Sequence, residues 1–203
     1  MKLYYKPGAC SLASHIALRE AGADFDLEKV DIAAGVTETG ADFRTISAMG
    51  YVPALTLFDG ETLTEGPAIL QHIADSAPET GLAPAAGSRD RTTLHARLNF
   101  VASELHRAFA PFFASEPPEG EAREKAVATL AKRFDHLEGL LEGRDHLVGE
   151  RFTVADAYAF VVSSWAIPTK IGLDRWPNVR TFVDKIAKRP ATQAAMRAEG
   201  LIA

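Results

Sequence analysis

Cysteine is almost missing: Cys10 is the single one in 203 residues, so no internal disulfide can form and nothing asks for an oxidising compartment. Cations are also in deficit, with 22 Lys and Arg against 27 Asp and Glu and a net charge of −5. That balance argues against non-specific nucleic-acid binding, which relies on clustered Lys and Arg, while leaving room for a local basic pocket for a small anion. No segment approaches the roughly 20 apolar residues that cross a bilayer. The first residues, Met1 to Gly8, lack the basic region and apolar stretch of a secretory leader, so the expected location is the cytoplasm. Internal repeats and low-complexity tracts are missing too. What is present, 47 % hydrophobic and 24 % charged residues, is the composition of a chain with a real core, long enough for one generous domain or two small ones.

The hydrophobic pattern changes partway along. To about residue 80, short β-like runs alternate with helical ones. Lys2–Tyr5 reads as a strand that stops at Pro7-Gly8, and Leu12, Ile16 and Ala17 keep helical spacing until Gly22. Phe25–Ile32 gives a second strand, Ala33–Gly50 a polar stretch with weak helical signals, and Tyr51–Phe58 a third strand. Asp59-Gly60 then turns the chain into Glu61–Thr64. Pro67 opens a helix whose buried side is Ile69, Leu70 and Ile73. The order implies a mixed four-stranded sheet covered by helices, over residues 1–80. Pro78–Ser88, rich in Ala, Gly and Pro, reads as a linker. From 88 to 203 the pattern is helical: Leu94, Leu98, Val101, Leu105 and Phe109, then Val127 to Leu141, then Val154–Trp165, apolar nearly all round as in the middle of a bundle, and two shorter helices separated by Pro190. The fold class expected is therefore α/β followed by an all-α domain.

Several junctions can carry chemistry. Cys10 lies in the turn from the first strand into the first helix, where unpaired N–H groups and the macrodipole favour a thiolate; a small buried apolar cysteine fits the same position. Val52-Pro53 precedes a strand. A cis bond there would turn the Val52 main chain outward to pair with an extended peptide-like ligand, whereas a trans proline would only start the strand. Glu65-Gly66-Pro67 is a second strand-to-helix junction: its N–H groups suit a carboxylate and Glu65 an ammonium group, or Glu65 merely complements the dipole. Asn99, Ser103 and either His106 or Arg107 share one face of an amphipathic helix, solvated unless something packs on it. Thr153 and Asp156 form a variant capping box behind Phe152, a structural device. His15, His72, His95, His136 and His146 show no metal-ligand spacing, and neither a phosphate-binding Gly-rich loop nor a nucleophile elbow is present. No metal is expected.

Taken together, Tyr5, Cys10-Ser11, Val52-Pro53, Glu65, the Asn99…Ser103-Glu104…His106 helix and Phe152-Thr153-Val154-Ala155-Asp156 resemble the glutathione transferases, most closely the bacterial beta class, over essentially the whole chain. The resemblance implies a thioredoxin-like first domain, a helical second domain that contributes the electrophile site, and a cytoplasmic homodimer acting in detoxification. It also implies a site for glutathione as cosubstrate. The Val52 main chain would pair with the cysteinyl part, with Pro53 cis, while Glu65 and Gly66 hold the γ-glutamyl end. Cys10, Tyr5 and Ser11 would stand near the sulfur, and Asn99, Ser103, His106 and Arg107 would line the domain cleft. Glu104 would reach the glutathione of the other subunit.

Two positions depart from the family pattern: Gly66 stands where Ser is common, and Gly35 where Lys is typical. The implied reaction is attack of the glutathione thiolate on an apolar electrophile, with Phe109, Phe112, Phe113 and Trp165 as candidate walls or as plain core. A second chemistry is monothiol disulfide exchange with Cys10 as nucleophile, Ala13 excluding a Cys-x-x-Cys pair. A third reading is a non-catalytic binding protein on the same fold.

Overall fold

The computed structural model describes residues 1–203. Five strands form the sheet, β1 (Lys2–Tyr5), β2 (Asp26–Asp31), β3 (Val36–Thr37), β4 (Ala54–Thr56) and β5 (Thr62–Leu63), in the order β3-β2-β1-β4-β5. β1 and β2 run parallel through α1 (Ser11–Glu20), and the other pairings are antiparallel. One strand more is present than the pattern predicts. Asp31 Oδ1 accepts the Ala33 and Ala34 N–H groups, and Gly35 at φ +71° turns the chain back on itself. Val36 and Thr37 can then pair with Asp31 and Val30. Two residues are too few to leave a periodic signature, which is why the segment reads as weak helix. β4 is likewise shorter than Tyr51–Phe58, since the cis Val52–Pro53 bond stands before it.

Alternation along β1 sends Leu3 to one face and Tyr4 to the other, and both are buried. Leu3 is fully buried, as are Ile16 and Leu18 of α1 and Ile69 and Leu70 of α2 (Gly66–Ser76). Tyr4 joins Val30, Phe43, Val52 and Ala54 in a cluster, with the Tyr4 and Phe43 rings 5.8 Å apart. That cluster is what anchors the Val52 segment.

Beyond the sheet the chain is helical, as expected: α3 (Arg89–Phe100), α4 (Gly120–Leu140), α5 (Val154–Ser164), α6 (Pro177–Ala187) and α7 (Pro190–Ala198). α3 runs on into a π-helical stretch, Val101–His106. Every residue of α5 from Val154 to Ser163 is buried. Its amino end is held by Asp156, whose Oδ2 accepts the Thr153 N–H at 2.7 Å and the Thr153 hydroxyl at 2.9 Å, while Oδ1 accepts the Leu147 N–H at 2.8 Å. By packing, the chain divides into Met1–Ala83 with Lys188–Ala203, and Pro84–Ala187. The last helix, α7, packs on α1 and groups with the first of these units. A sequence pattern reports that a helix is amphipathic, not which partner its apolar side selects.

Candidate functional site

The turn from β1 into α1 is built by its own polar groups. Ser11, fully buried, accepts the Lys6 N–H at 3.2 Å and donates to the Lys6 carbonyl at 3.3 Å. The Ala9 N–H also reaches Lys6 O at 3.0 Å. Cys10 then sits at the N-cap of α1. Its Sγ donates to the Val52 carbonyl at 3.2 Å, which joins two positions 42 residues apart. The Val52 N–H makes no hydrogen bond within the chain, and the bond into Pro53 is cis. One step upstream, the buried Ser47 hydroxyl donates to the Tyr51 carbonyl at 3.1 Å and fixes the approach of the segment.

The charge state of Cys10 reverses the expectation drawn from its position. Crowding of the sulfur by protein atoms pushes the thiol up to about 11, while the Cys10 and Ser11 N–H groups at the helix start pull the other way. Both effects are real, and desolvation is the larger. A helix amino end lowers a thiol pKa strongly only where the thiolate keeps solvent or a cation.

Glu65 caps α2 with φ +67°, a left-handed conformation that a side chain other than glycine rarely adopts. Its carboxylate is exposed, and its carbonyl accepts the Ala68 and Ile69 N–H groups. Gly66 lies against Pro53: a Cβ added there would meet Pro53 Cδ and Cγ at 3.9 Å. Val52, Pro53, Glu65 and Gly66 are thus brought to one neighbourhood with Cys10. The Tyr5 ring packs 6.3 Å from that of His15, and burial, with the Glu199 carboxylate nearby, pushes its hydroxyl above the usual range.

A buried polar chain that sequence reasoning missed supports this turn. Glu199 Oε2 accepts the Gly8 N–H at 2.9 Å, and Oε1 lies 2.9 Å from His15 Nδ1. Arg19 Nε donates to His15 Nε2 at 2.9 Å. Arginine cannot accept, so Nε2 carries a lone pair, the His15 proton sits on Nδ1 and donates to Glu199, and the ring is neutral. No sequence signal marks Glu199, which is 191 residues from Gly8.

In the helical unit, Asn99, Ser103, Glu104 and Arg107 are exposed, with the Ser103 hydroxyl donating to Asn99 O at 2.8 Å and Glu104 paired to Arg133 at 3.0 Å. His106 is half-buried and turned to α5. Its Nδ1 lies 2.8 Å from the Tyr158 hydroxyl and its ring 4.8 Å from that of Trp165. Burial lowers its pKa. Phe109 and Phe112 are buried, whereas Phe113 is exposed and meets the Trp165 ring edge-on at 5.2 Å. No three His, Cys, Asp or Glu side chains gather as a metal site, and no helix is long and apolar enough to cross a membrane.

A mixed sheet in this order, with a cysteine at the start of α1 facing a main-chain carbonyl just ahead of β4, defines the thioredoxin-like class of domain. Comparison with known proteins narrows the class. Residues 8–76 match the family model for the glutathione S-transferase N-terminal domain, and residues 100–190 that for the C-terminal domain. The chain belongs to the glutathione S-transferase family. It is 44 % identical to glutathione S-transferase GstA of Escherichia coli O157:H7, over 99 % of this chain and 100 % of that one. Among solved structures it resembles the beta-class glutathione S-transferase of Sphingomonas chungbukensis, with 47 % identity, TM-score 0.95 and full coverage of both chains. A sphingomonad glutathione S-transferase complexed with glutathione gives 51 % identity and TM-score 0.95, again with full coverage of both.

Proposed function

We propose that this protein is a glutathione S-transferase that joins the glutathione thiolate to an apolar electrophile, forming a thioether while the thiol proton passes to solvent and the leaving group departs. The observation that carries the reading is the Val52 main chain, an N–H without an acceptor in the chain beside a carbonyl that faces Cys10 Sγ at 3.2 Å. An extended tripeptide thiol satisfies both groups as an added edge strand and leaves its sulfur at the start of α1. The first-turn N–H groups after Glu65 suit the γ-glutamyl carboxylate, and Glu65 its ammonium group. Tyr5 and Ser11 hold the turn through buried contacts, and Cys10 acts as a neutral neighbour of the sulfur. In the helical unit, the exposed Phe113 against Trp165 offers an aromatic face to the electrophile, and Asn99, Ser103, His106 and Arg107 offer polar groups. Exposed Met49, Tyr51 and Phe58 support a homodimer, in which Glu104 is the candidate to reach the partner's glutathione. A cytoplasmic role in detoxification fits this chemistry.

Calorimetric titration with glutathione, followed by a conjugation assay with an activated aryl chloride, tests the reading. Saturable binding and thioether formation are expected; no binding at millimolar glutathione overturns it. In the Cys10→Ala variant conjugation is expected to persist, whereas a disulfide-exchange enzyme would lose its activity altogether.

A further inference from the structure

We infer that Tyr158 is a positioning residue for His106: its phenol O–H donates to Nδ1 and holds the imidazole as the tautomer with its proton on Nε2. Only the consequence for turnover rests on the transferase reading above.

The two side chains meet at 2.8 Å from helices 52 residues apart in sequence, with their rings nearly perpendicular at 88°. Tyr158 is buried on α5 and His106 ends the π-helical stretch. His106 faces α5, while Ser103 and Arg107 on the same stretch of chain stay exposed.

Two arrangements fit one proton on a neutral ring: phenol O–H to imidazole nitrogen, or imidazole N–H to phenol oxygen. A phenol is the more acidic donor, near pKa 10, and an imidazole nitrogen is far more basic than a phenol oxygen. The O–H···N arrangement is therefore the stronger. Burial of His106 favours the neutral ring that can accept it. Trp165, edge-on at 4.8 Å, packs the ring in place.

The chemical result is specific. Nδ1 is occupied, and Nε2, which makes no hydrogen bond in the chain, presents an N–H rather than a lone pair. His106 is thereby prepared to donate to an anionic atom, such as a thiolate or a departing anion, and not to take a proton from a thiol.

The experiment reads the ring nitrogens directly, by ¹⁵N chemical shifts of the imidazoles in the ligand-free protein, alongside conjugation kinetics. In the unsubstituted protein, His106 Nδ1 is expected in the unprotonated range and Nε2 in the protonated range. A proton found on Nδ1 overturns the proposal without any appeal to activity. In Tyr158→Phe the two shifts are expected to converge as tautomers mix. There kcat should fall about tenfold, the rate equivalent of one hydrogen bond, with KM for glutathione essentially unchanged. Converged shifts with unaltered kcat would refute the positioning role. Failure of the unsubstituted protein to conjugate at all would overturn the transferase reading, while the nitrogen shifts would still decide the tautomer.

Discussion

Restoring a hydroxyl at position 66 is the sharpest probe of the glutathione site. Gly66 is the first residue of α2, and its φ lies outside the left-handed region. A Cβ there meets only Pro53 Cδ and Cγ at 3.9 Å, ordinary van der Waals contact, so Gly66→Ser fits without moving the backbone. In the ligand-free protein the change removes glycine's conformational freedom and should raise stability by about 0.5 kcal/mol. With glutathione bound, the new hydroxyl can donate to the γ-glutamyl carboxylate. A charge-assisted hydrogen bond contributes about 1.5–3 kcal/mol, or roughly 10- to 150-fold in affinity. Gly66→Ala shares the backbone effect and lacks the donor, so the difference between the two variants isolates the hydrogen bond. Calorimetric titration of both should show the Ser form binding at least about tenfold tighter than the Ala form. Equal affinities, with both variants folded, would refute the placement of the γ-glutamyl end at this helix start. Position 35 gives the contrasting case. Gly35 sits at φ +71° with open space around it, so Gly35→Lys supplies a cation but forces a side chain into a left-handed conformation, at a cost of about 1–2 kcal/mol in stability.

Other perturbations probe the same geometry. Glu65→Gly relieves the strain at φ +67° and should raise denaturant stability by up to about 1 kcal/mol while glutathione affinity drops about tenfold or more; a loss of stability would show the carboxylate to be structural. Glu199→Ala strips an acceptor from the half-buried Gly8 N–H and from the buried His15, a loss of about 2–5 kcal/mol in denaturant unfolding, with Glu199→Gln milder because its amide keeps one acceptor. With the Cys10 thiol near 11, the thiolate is about one molecule in ten thousand at pH 7. Alkylation of the ligand-free protein by iodoacetamide should therefore be slow at neutral pH and still rising above pH 10, whereas a plateau near pH 7 would contradict the burial argument.

Features set by neighbours in the chain were legible in the sequence. Pro67 marked the opening of α2, Asp59-Gly60 the turn into β5, and Thr153 and Asp156 the start of α5, because each works through groups within a few residues. Cys10 and Val52 could each be singled out, but their 3.2 Å contact depends on a sheet that brings residues 42 apart together. Glu199 was invisible for a stronger version of the same reason, since its partners Gly8 and His15 lie at the other end of the chain. Tyr158 did carry a clue. A tyrosine inside a helix that is apolar all round must place its hydroxyl somewhere, and a buried hydroxyl usually finds a partner. The π-helical stretch and the two-residue β3 left no comparable trace, because neither disturbs the apolar spacing around it.

The same limit explains the reversal at Cys10, and the reversal bears on which chemistry the site favours. Position in a strand-to-helix turn reports the N–H groups of Cys10 and Ser11, which favour the thiolate, but says nothing about the protein packed around the sulfur. Burial opposes them and prevails, and the Val52 carbonyl adds to it, because only a protonated Sγ can donate there. A nucleophilic Cys10 would first have to give up that hydrogen bond and ionise. Glutathione arrives with its own thiol, which must also lose its proton but does so without the burial that holds the Cys10 sulfur protonated. Its sulfur meets the helix start with a neutral cysteine alongside, which makes conjugation by glutathione the chemistry these groups support most directly and cysteine-based exchange the costlier route.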